Sequence, residues 1–136
     1  MPATDEIRRF FAEAFPQSTV SVEYAGDGRA RVRQEISDEH LRPGGTVAGP
    51  VMMAVADSAT YAAILGQIGI VPLAVTTSLT INFLRRPSPE HAIIGEAQLL
   101  KVGQRLAVAD VRIFSEGSPE PVAHAAVTYS IPPQNM

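Results

Sequence analysis

The amino-acid sequence predicts a two-layer α+β domain in which an antiparallel sheet packs on one long apolar helix. Three observations predict it: residues 49–66 have the composition of a buried helix, strand-like runs fill residues 75–131, and a shorter hairpin precedes the helix. A sheet and a helix with apolar surfaces bury them most simply against each other. The length of 136 residues fits a single domain, residues 1–136, with a flanking helix over residues 1–16.

The composition narrows the classes of function. A hydrophobic fraction of 46% with 18% charged residues is typical of a globular protein, and a net charge of −3 argues against a general nucleic-acid binder. The absence of cysteine excludes disulfides and a thiol nucleophile. The three histidines lack metal-ligand spacing: His40, His91 and His124. We therefore expect no metal and no cofactor.

The start of the chain does not resemble a signal peptide. Its longest apolar run is interrupted by Asp57, and we interpret this run as too polar to span a bilayer. We therefore expect a cytoplasmic protein without a membrane partner.

The first predicted element is a helix capped by Thr4 and ended by Pro16. Its apolar residues repeat at helical spacing and form one face: Ile7, Phe10, Phe11 and Ala14. A hairpin follows, with a turn at residues 26–28 and one wet face. Its inward residues are expected to include Val20, Val22 and Tyr24, whereas its arginines are interpreted as a solvated strand face: Arg29, Arg31 and Arg33.

The central helix begins at Gly49, because Pro50 fits the first helical position, and Gly66 is its predicted end. The preceding loop, residues 37–48, contains two glycines and runs into Gly49, which suggests close approach of backbone to a ligand or to packed sheet. The helix holds one residue that is charged at neutral pH, Asp57. A carboxylate there is costly unless it is hydrogen-bonded, paired or open to a cleft, so it is either a structural aspartate or a catalytic one.

After the helix, residues 75–83 alternate with period two and form the cleanest and longest predicted strand. Thr76 falls on its polar side, with Ser78, Thr80 and Asn82. Three further predicted strands follow: residues 92–102, 105–114 and 121–131. Because the helix is apolar nearly all round, its far side also needs cover, and a second subunit is the expected source.

The sequence resembles the hotdog-fold acyl-CoA thioesterases, specifically the phenylacetic-acid-degradation (PaaI-like) branch. The resemblance covers residues 20–131 and rests on the order and spacing of four segments. They are Gly45-Thr46-Val47-Ala48-Gly49-Pro50 with Asp57 seven residues on, Thr76-Thr77-Ser78-Leu79-Thr80-Ile81-Asn82-Phe83-Leu84-Arg85-Arg86-Pro87, Lys101-Val102-Gly103-Gln104-Arg105, and Val122-Ala123-His124-Ala125. It implies the hotdog fold, an antiparallel sheet wrapped around a long central helix.

By this resemblance, Asp57 is the nucleophile or general base and Gly49 offers its backbone N–H to the thioester carbonyl. The start of a helix presents free N–H groups that stabilise an oxyanion, and since Pro50 has none, Gly49 or Val51 supplies the donor. Eight helical residues span about 12 Å, too far for Gly49 and Asp57 of one helix to serve one carbonyl. Two antiparallel helices across a twofold axis solve this, so we expect a homodimer or homotetramer with shared sites.

Two positions depart from the family. Ala48 stands where relatives carry His, and Arg42 stands where they commonly carry Asn. Arg42 cannot accept hydrogen bonds, so it either clamps a carboxylate or a coenzyme A phosphate, or pairs with Asp57 and silences it. Thr76 matches a position that aligns the attacking water in relatives, or it is a strand-favouring surface residue.

Further substrate contacts are open to two interpretations. Arg85 and Arg86, with Lys101 and Arg105, form a basic rim for the coenzyme A phosphates or are ordinary exposed cations. Met53 and Tyr61 lie one turn from Asp57 and line the acyl pocket or pack in the core.

The leading hypothesis is a thioesterase that hydrolyses a small or medium acyl- or aryl-CoA, with coenzyme A entering only as part of the substrate. The alternative is a non-catalytic hotdog protein that binds acyl-CoA or an aromatic ligand, motivated by the missing His and Asn. A hotdog hydratase or dehydratase ranks third, because the central helix carries no histidine.

Overall fold

Residues 3–133, the part of the chain that the computed structural model describes, form two α-helices and eight β-strands. The helices are α1 (Thr4–Ala14) and α2 (Gly49–Ile68). The strands are β1 (Ser21–Gly26), β2 (Arg29–Gln34), β3 (Leu41–Arg42), β4 (Thr46–Val47), β5 (Val75–Phe83), β6 (Ile93–Val102), β7 (Leu106–Ser115) and β8 (Ala123–Ser130).

Six strands form one antiparallel sheet in the order β1-β2-β6-β7-β8-β5, and α2 packs across one face of it. The predicted two-layer α+β arrangement is confirmed. The strands after α2 do not form a simple meander, because β5 pairs with β8 instead of β6 and so lies at an edge of the sheet. β5 has nine residues and is slightly shorter than β6 and β7, so the expectation that it is the longest strand was wrong.

The helix α2 is the centre of the core, since most of its residues are buried. It does not end at Gly66, as the sequence suggested. It continues to Ile68 and is followed by Gly69 with a φ of 99°. Gly66 serves close packing instead: a Cβ added there would lie 3.2 Å from the backbone nitrogen of Gly26.

By length and mean hydropathy, 1.3 over its most apolar window, α2 is apolar enough to cross a membrane. The expectation that this segment is too polar was therefore wrong. Nevertheless, 61% of that window is buried inside the domain, as is typical of the core helix of a fold that a sheet covers.

Gly44 and Gly45, which precede α2, do not provide the close approach of backbone that the sequence suggested. Gly44 and Gly45 have φ values of 99° and 75°, and a Cβ added at either would meet nothing within 4 Å. They are needed for the turn between β3 and β4 because other residues rarely adopt positive φ. Close approach occurs only at Gly49, where an added Cβ would lie 3.2 Å from Cζ of Phe83.

The helix α1 is fastened to β1 by Thr4. Ala3 is the N-cap residue and makes no side-chain cap, so the predicted capping role of Thr4 was wrong. The Thr4 hydroxyl instead accepts from the backbone N–H of Ala25 at 3.2 Å and lies 3.4 Å from its carbonyl oxygen. Ile7 and Phe11 bury the apolar face of α1.

A β-bulge in β1 changes which residues face the core. The register shifts between Val22 and Tyr24, so Ala25 is buried and Tyr24 is exposed, contrary to the expected alternation. On the outer face of the sheet, Arg31 pairs with Glu23 and Glu96.

Candidate functional site

Asp57 lies in the third turn of α2, half-buried, on the side that faces β5 and β8. The Thr76 hydroxyl on β5 donates a hydrogen bond to its Oδ1. The hydroxyl of Tyr129 on β8 lies 3.0 Å from the same Oδ1 and 3.3 Å from the carbonyl oxygen of Asp57. The carboxylate is therefore held at one oxygen by two donors from two neighbouring strands.

A β-bulge places Thr76 in this site. The register between β5 and β8 shifts between Thr76 and Ser78, so Thr77 is the extra residue. Beyond the bulge, Ser78 and Thr80 face away from α2. The sequence expectation that Thr76 shares a face with these residues was wrong, because the bulge turns it inward to pair with Tyr129.

Tyr129 is 4% exposed and stacks on Tyr61, with ring centroids 5.5 Å apart and planes 8° from parallel. Burial, followed by the negative charge of Asp57, raises the pKa of Tyr129. The Tyr61 hydroxyl donates to the carbonyl oxygen of Val71 at 2.6 Å, and burial raises the pKa of Tyr61 to about 12. Both phenols therefore stay protonated and act as donors at neutral pH.

A small cavity of about 180 Å³ opens beside Asp57. Its wall includes four aromatic side chains, two from the α1 segment (residues 4–18, the helix α1 with the residues that follow it) and two from the stacked tyrosine pair: Phe11, Phe15, Tyr61 and Tyr129. The remaining lining residues are Gln17, Ser18, Ala54 and Ser58. An apolar group attached to an atom that reacts at Asp57 can enter this space.

A larger cavity of about 690 Å³ lies at the start of α2. Gly49 lines it together with Phe83 and three exposed arginines: Arg42, Arg85 and Arg86. Arg85 is held by a 2.7 Å hydrogen bond to the carbonyl oxygen of Pro121. Gly49 and Asp57 of one chain thus face different cavities.

Only some of the other predicted site residues line one of these two cavities. Tyr61 lines the small cavity, but Met53 is 40% exposed and lines neither cavity. Val51 is half-buried, and its N–H donates to the carbonyl oxygen of Ala48 at 3.1 Å. Arg105 lines a third cavity near the β6–β7 turn, away from Arg85 and Arg86.

Sequence reasoning missed Tyr129, Phe11 and Phe15 as site residues. Tyr129 had one usable signal: it lies at an alternating, inward position of a predicted strand, where a phenol needs a hydrogen-bond partner. Phe11 gave a signal only for a core-facing helix. Among residues 3–133, no group of three or more His, Asp or Glu side chains is arranged to hold a metal ion.

Comparison with known proteins identifies the family. The model of the thioesterase superfamily matches residues 44–122. A proposed thioesterase from Silicibacter sp. is 43% identical, with a TM-score of 0.88 over 96% of this chain and 92% of that one. The phenylacetic acid degradation protein PaaI from Thermus thermophilus is 27% identical, with a TM-score of 0.73 over 89% of this chain and 97% of that one.

A hypothetical thioesterase from Streptococcus pneumoniae, solved with coenzyme A, shares the fold. It is 19% identical, with a TM-score of 0.74 over 88% of this chain and 93% of that one. A search among curated proteins found no match. The superfamily match and the 43% identical structure together show that this chain, as its sequence suggested, belongs to the hotdog-fold thioesterase superfamily and is a thioester hydrolase.

Proposed function

We propose that the protein hydrolyses acyl-CoA thioesters and that Asp57 is the catalytic carboxylate. The observation that carries the proposal is the asymmetric holding of this group. Within residues 3–133, the side chains that donate to the carboxylate, Thr76 and Tyr129, both reach Oδ1. Oδ2 is left for the reaction, and the two donors fix its direction, as a positioned base or nucleophile requires.

The chemistry has two balanced forms. As a base, Asp57 takes a proton from water while the water oxygen attacks the thioester carbonyl carbon. As a nucleophile, Oδ2 attacks that carbon itself and gives an anhydride, which water then hydrolyses. In both, the C–S bond breaks and the departing thiolate takes up a proton.

Gly49 is the proposed donor to the carbonyl oxygen. Pro50 has no N–H, and the N–H of Val51 already donates to the carbonyl oxygen of Ala48. The N–H of Gly49 lies at the start of α2, where no intrahelical acceptor is available. It can therefore stabilise the oxyanion of the tetrahedral intermediate.

The donor comes from a second copy of the chain, because Gly49 and Asp57 are separated by about 12 Å along one helix and face different cavities. The edge strand β5 favours such a partner. It carries no charged side chain and exposes Val75 and Phe83. Uncharged edge strands of this length readily pair with another chain, and antiparallel pairing of two β5 strands also makes the two α2 helices antiparallel.

The cavity at the start of α2 is the proposed site for coenzyme A, which the Streptococcus pneumoniae neighbour binds. Guanidinium groups suit phosphates because they bind them through paired N–H donors. Arg42 lines this cavity, while Asp57 is held by Thr76 and Tyr129. This placement favours a phosphate clamp over an ion pair that silences Asp57.

The first test is thiol release from a panel of acyl-CoA substrates by the wild-type protein and by Asp57→Asn. General-base groups typically contribute 10²–10⁴-fold, so we expect a loss of about that size in kcat. Asp110→Asn is the matched control, because Asp110 pairs with His124 on the outer face of the sheet. Equal rates for Asp57→Asn and the wild type would exclude Asp57 as the base. No hydrolysis of any substrate in the panel would exclude acyl-CoA thioesters as the substrate class.

The shared site is tested by mixing inactive variants. Gly49→Pro removes the N–H at a position where helices accept proline, whereas Gly49→Ala adds a Cβ but keeps the N–H. Each mixed dimer of Asp57→Asn and Gly49→Pro chains contains one intact site out of two if the two groups come from different chains. About half of the dimers in a freely exchanging equimolar mixture are mixed, so the mixture should regain about a quarter of wild-type activity. A site within one chain gives no restoration.

A further inference from the structure

We infer that the 180 Å³ cavity beside Asp57 holds the acyl group of the substrate and that the α1 segment limits the size of this group. The inference rests on the proposed role of Asp57, since a cavity that starts at the reacting carboxylate receives whatever is attached to the thioester carbonyl. It assigns a role in specificity to Phe11 and Phe15, which lie outside the segment that the family model matches.

The cavity has a closed floor and an open mouth. Phe11, Tyr61 and Tyr129 are buried, with at most 7% of each exposed. Gln17, Ser18 and Ala54 are exposed and form the entrance. An acyl group therefore enters past polar or small residues and ends against aromatic rings, where its apolar surface leaves water.

The floor cannot retreat to admit a longer group. The hydroxyl of Tyr61 is bound to the backbone of Val71, and that of Tyr129 to Asp57, so the stacked pair is anchored at both phenols. The rings of Phe11 and Phe15 lie 5.8 Å and 6.0 Å from that of Tyr61 and close the remaining side. Close-packed aromatic walls of this kind yield little volume without rearrangement.

The volume sets the size of the acyl group. An apolar cavity of about 150 Å³ in another protein is large enough to bind benzene. A cavity of about 180 Å³ therefore accepts an apolar acyl group of about six carbons, as a chain or a single ring, and excludes fatty acyl chains.

The test is kcat/KM for straight-chain acyl-CoA substrates from acetyl to dodecanoyl. For the wild type we expect a rise of about fourfold per methylene up to about six carbons, and a fall beyond that. Ala54→Leu fills the mouth and moves the optimum to shorter chains. Phe15→Ala enlarges the cavity and moves it to longer ones.

Phe10→Ala is the matched control. Phe10 belongs to the α1 segment, and its ring centroid lies 6.1 Å from that of Tyr61 in the same aromatic cluster, but it does not line the cavity. The chain length at which kcat/KM is highest should be the same for Phe10→Ala and for the wild type. Because Ala54 is exposed, Ala54→Leu should fold even if Phe15→Ala does not. An unchanged optimum in Ala54→Leu would overturn the inference.

Binding of non-hydrolysable thioether analogues separates this inference from the proposed function. If Ala54→Leu weakens binding of the hexyl analogue at least tenfold and leaves the methyl analogue unchanged, the cavity is the acyl site even when the wild type hydrolyses nothing. Hydrolysis can also be observed while each analogue binds Ala54→Leu as tightly as it binds the wild type. In that case the proposed function stands and the inference fails.

Discussion

The Tyr129 hydroxyl lies 3.0 Å from Oδ1 of Asp57, although the two residues are 72 positions apart in the sequence. The contact joins β8 to the third turn of α2. Tyr129 is itself buried, and the stack on Tyr61 fixes the ring that carries the donor. Tyr129 is therefore a positioning residue for Asp57.

Removal of this hydroxyl should lower turnover more than substrate binding. A hydrogen bond to a charged group is worth about 1.5–3 kcal/mol, so we expect Tyr129→Phe to lower kcat tenfold or more with little change in KM. The ring and its stack remain, so the fold is preserved. Tyr24→Phe on the exposed face of β1 is the control. A change in KM alone would contradict a positioning role.

Thr76 should require its hydroxyl and tolerate loss of its methyl group. Thr76→Val keeps the shape but removes the donor to Asp57, and we expect a fall in kcat of about tenfold or more. Thr76→Ser restores the donor and should recover most of the activity. Steady-state kinetics of the two variants distinguishes them. Equal activities would show that only the shape of residue 76 matters.

The buried tyrosines predict a loss of stability at alkaline pH. The pKa of Tyr61 is raised to about 12, and that of Tyr129 is raised as well, while a tyrosine in the unfolded chain ionises near pH 10. Between these values the folded state binds more protons than the unfolded state. The stabilisation is present below about pH 10 and falls by up to about 1.4 kcal/mol per pH unit for each tyrosine as the pH rises.

Denaturant unfolding at a series of alkaline pH values measures this slope. Tyr61→Phe should be less stable than the wild type at neutral pH, because the substitution removes the hydrogen bond to Val71. Its free energy of unfolding should also decline less steeply at high pH. Parallel declines for the two proteins would mean that Tyr61 does not contribute to the alkaline transition.

Gly95 should not accept a larger side chain, because β6 passes close to α2 there. A Cβ added at Gly95 would lie 2.6 Å from Cγ1 of Val55. Overpacking of this kind costs about 1–3 kcal/mol, so we expect Gly95→Ala to lower the free energy of unfolding by that amount. Gly103→Ala, whose Cβ would meet only an ordinary contact at 3.5 Å, is the control.

The double variant Gly95→Ala with Val55→Ala tests the cause. Val55→Ala removes the clashing methyl group, so the two changes together should cost less than the sum of their separate effects. Strict additivity in denaturant unfolding would show that the loss at Gly95 arises elsewhere.

The sequence by itself determined the layers of the domain and its central helix. An apolar helix beginning at Gly49-Pro50 and strands with period-two alternation are local patterns, and local patterns fix the period of each element. The spacing of Gly49 and Asp57 was also sufficient to show that one chain cannot bring both to one carbonyl, since it depends only on helical rise.

The tertiary structure decided how these elements meet. One extra residue at Thr77 puts Thr76 on the face opposite to Ser78, and a similar shift in β1 exposes Tyr24, because a single extra residue breaks the alternation of side chains between the two sides of a bulge. The partnership of Tyr129 with Asp57 depends on strand order and register over 72 positions, which no local pattern encodes.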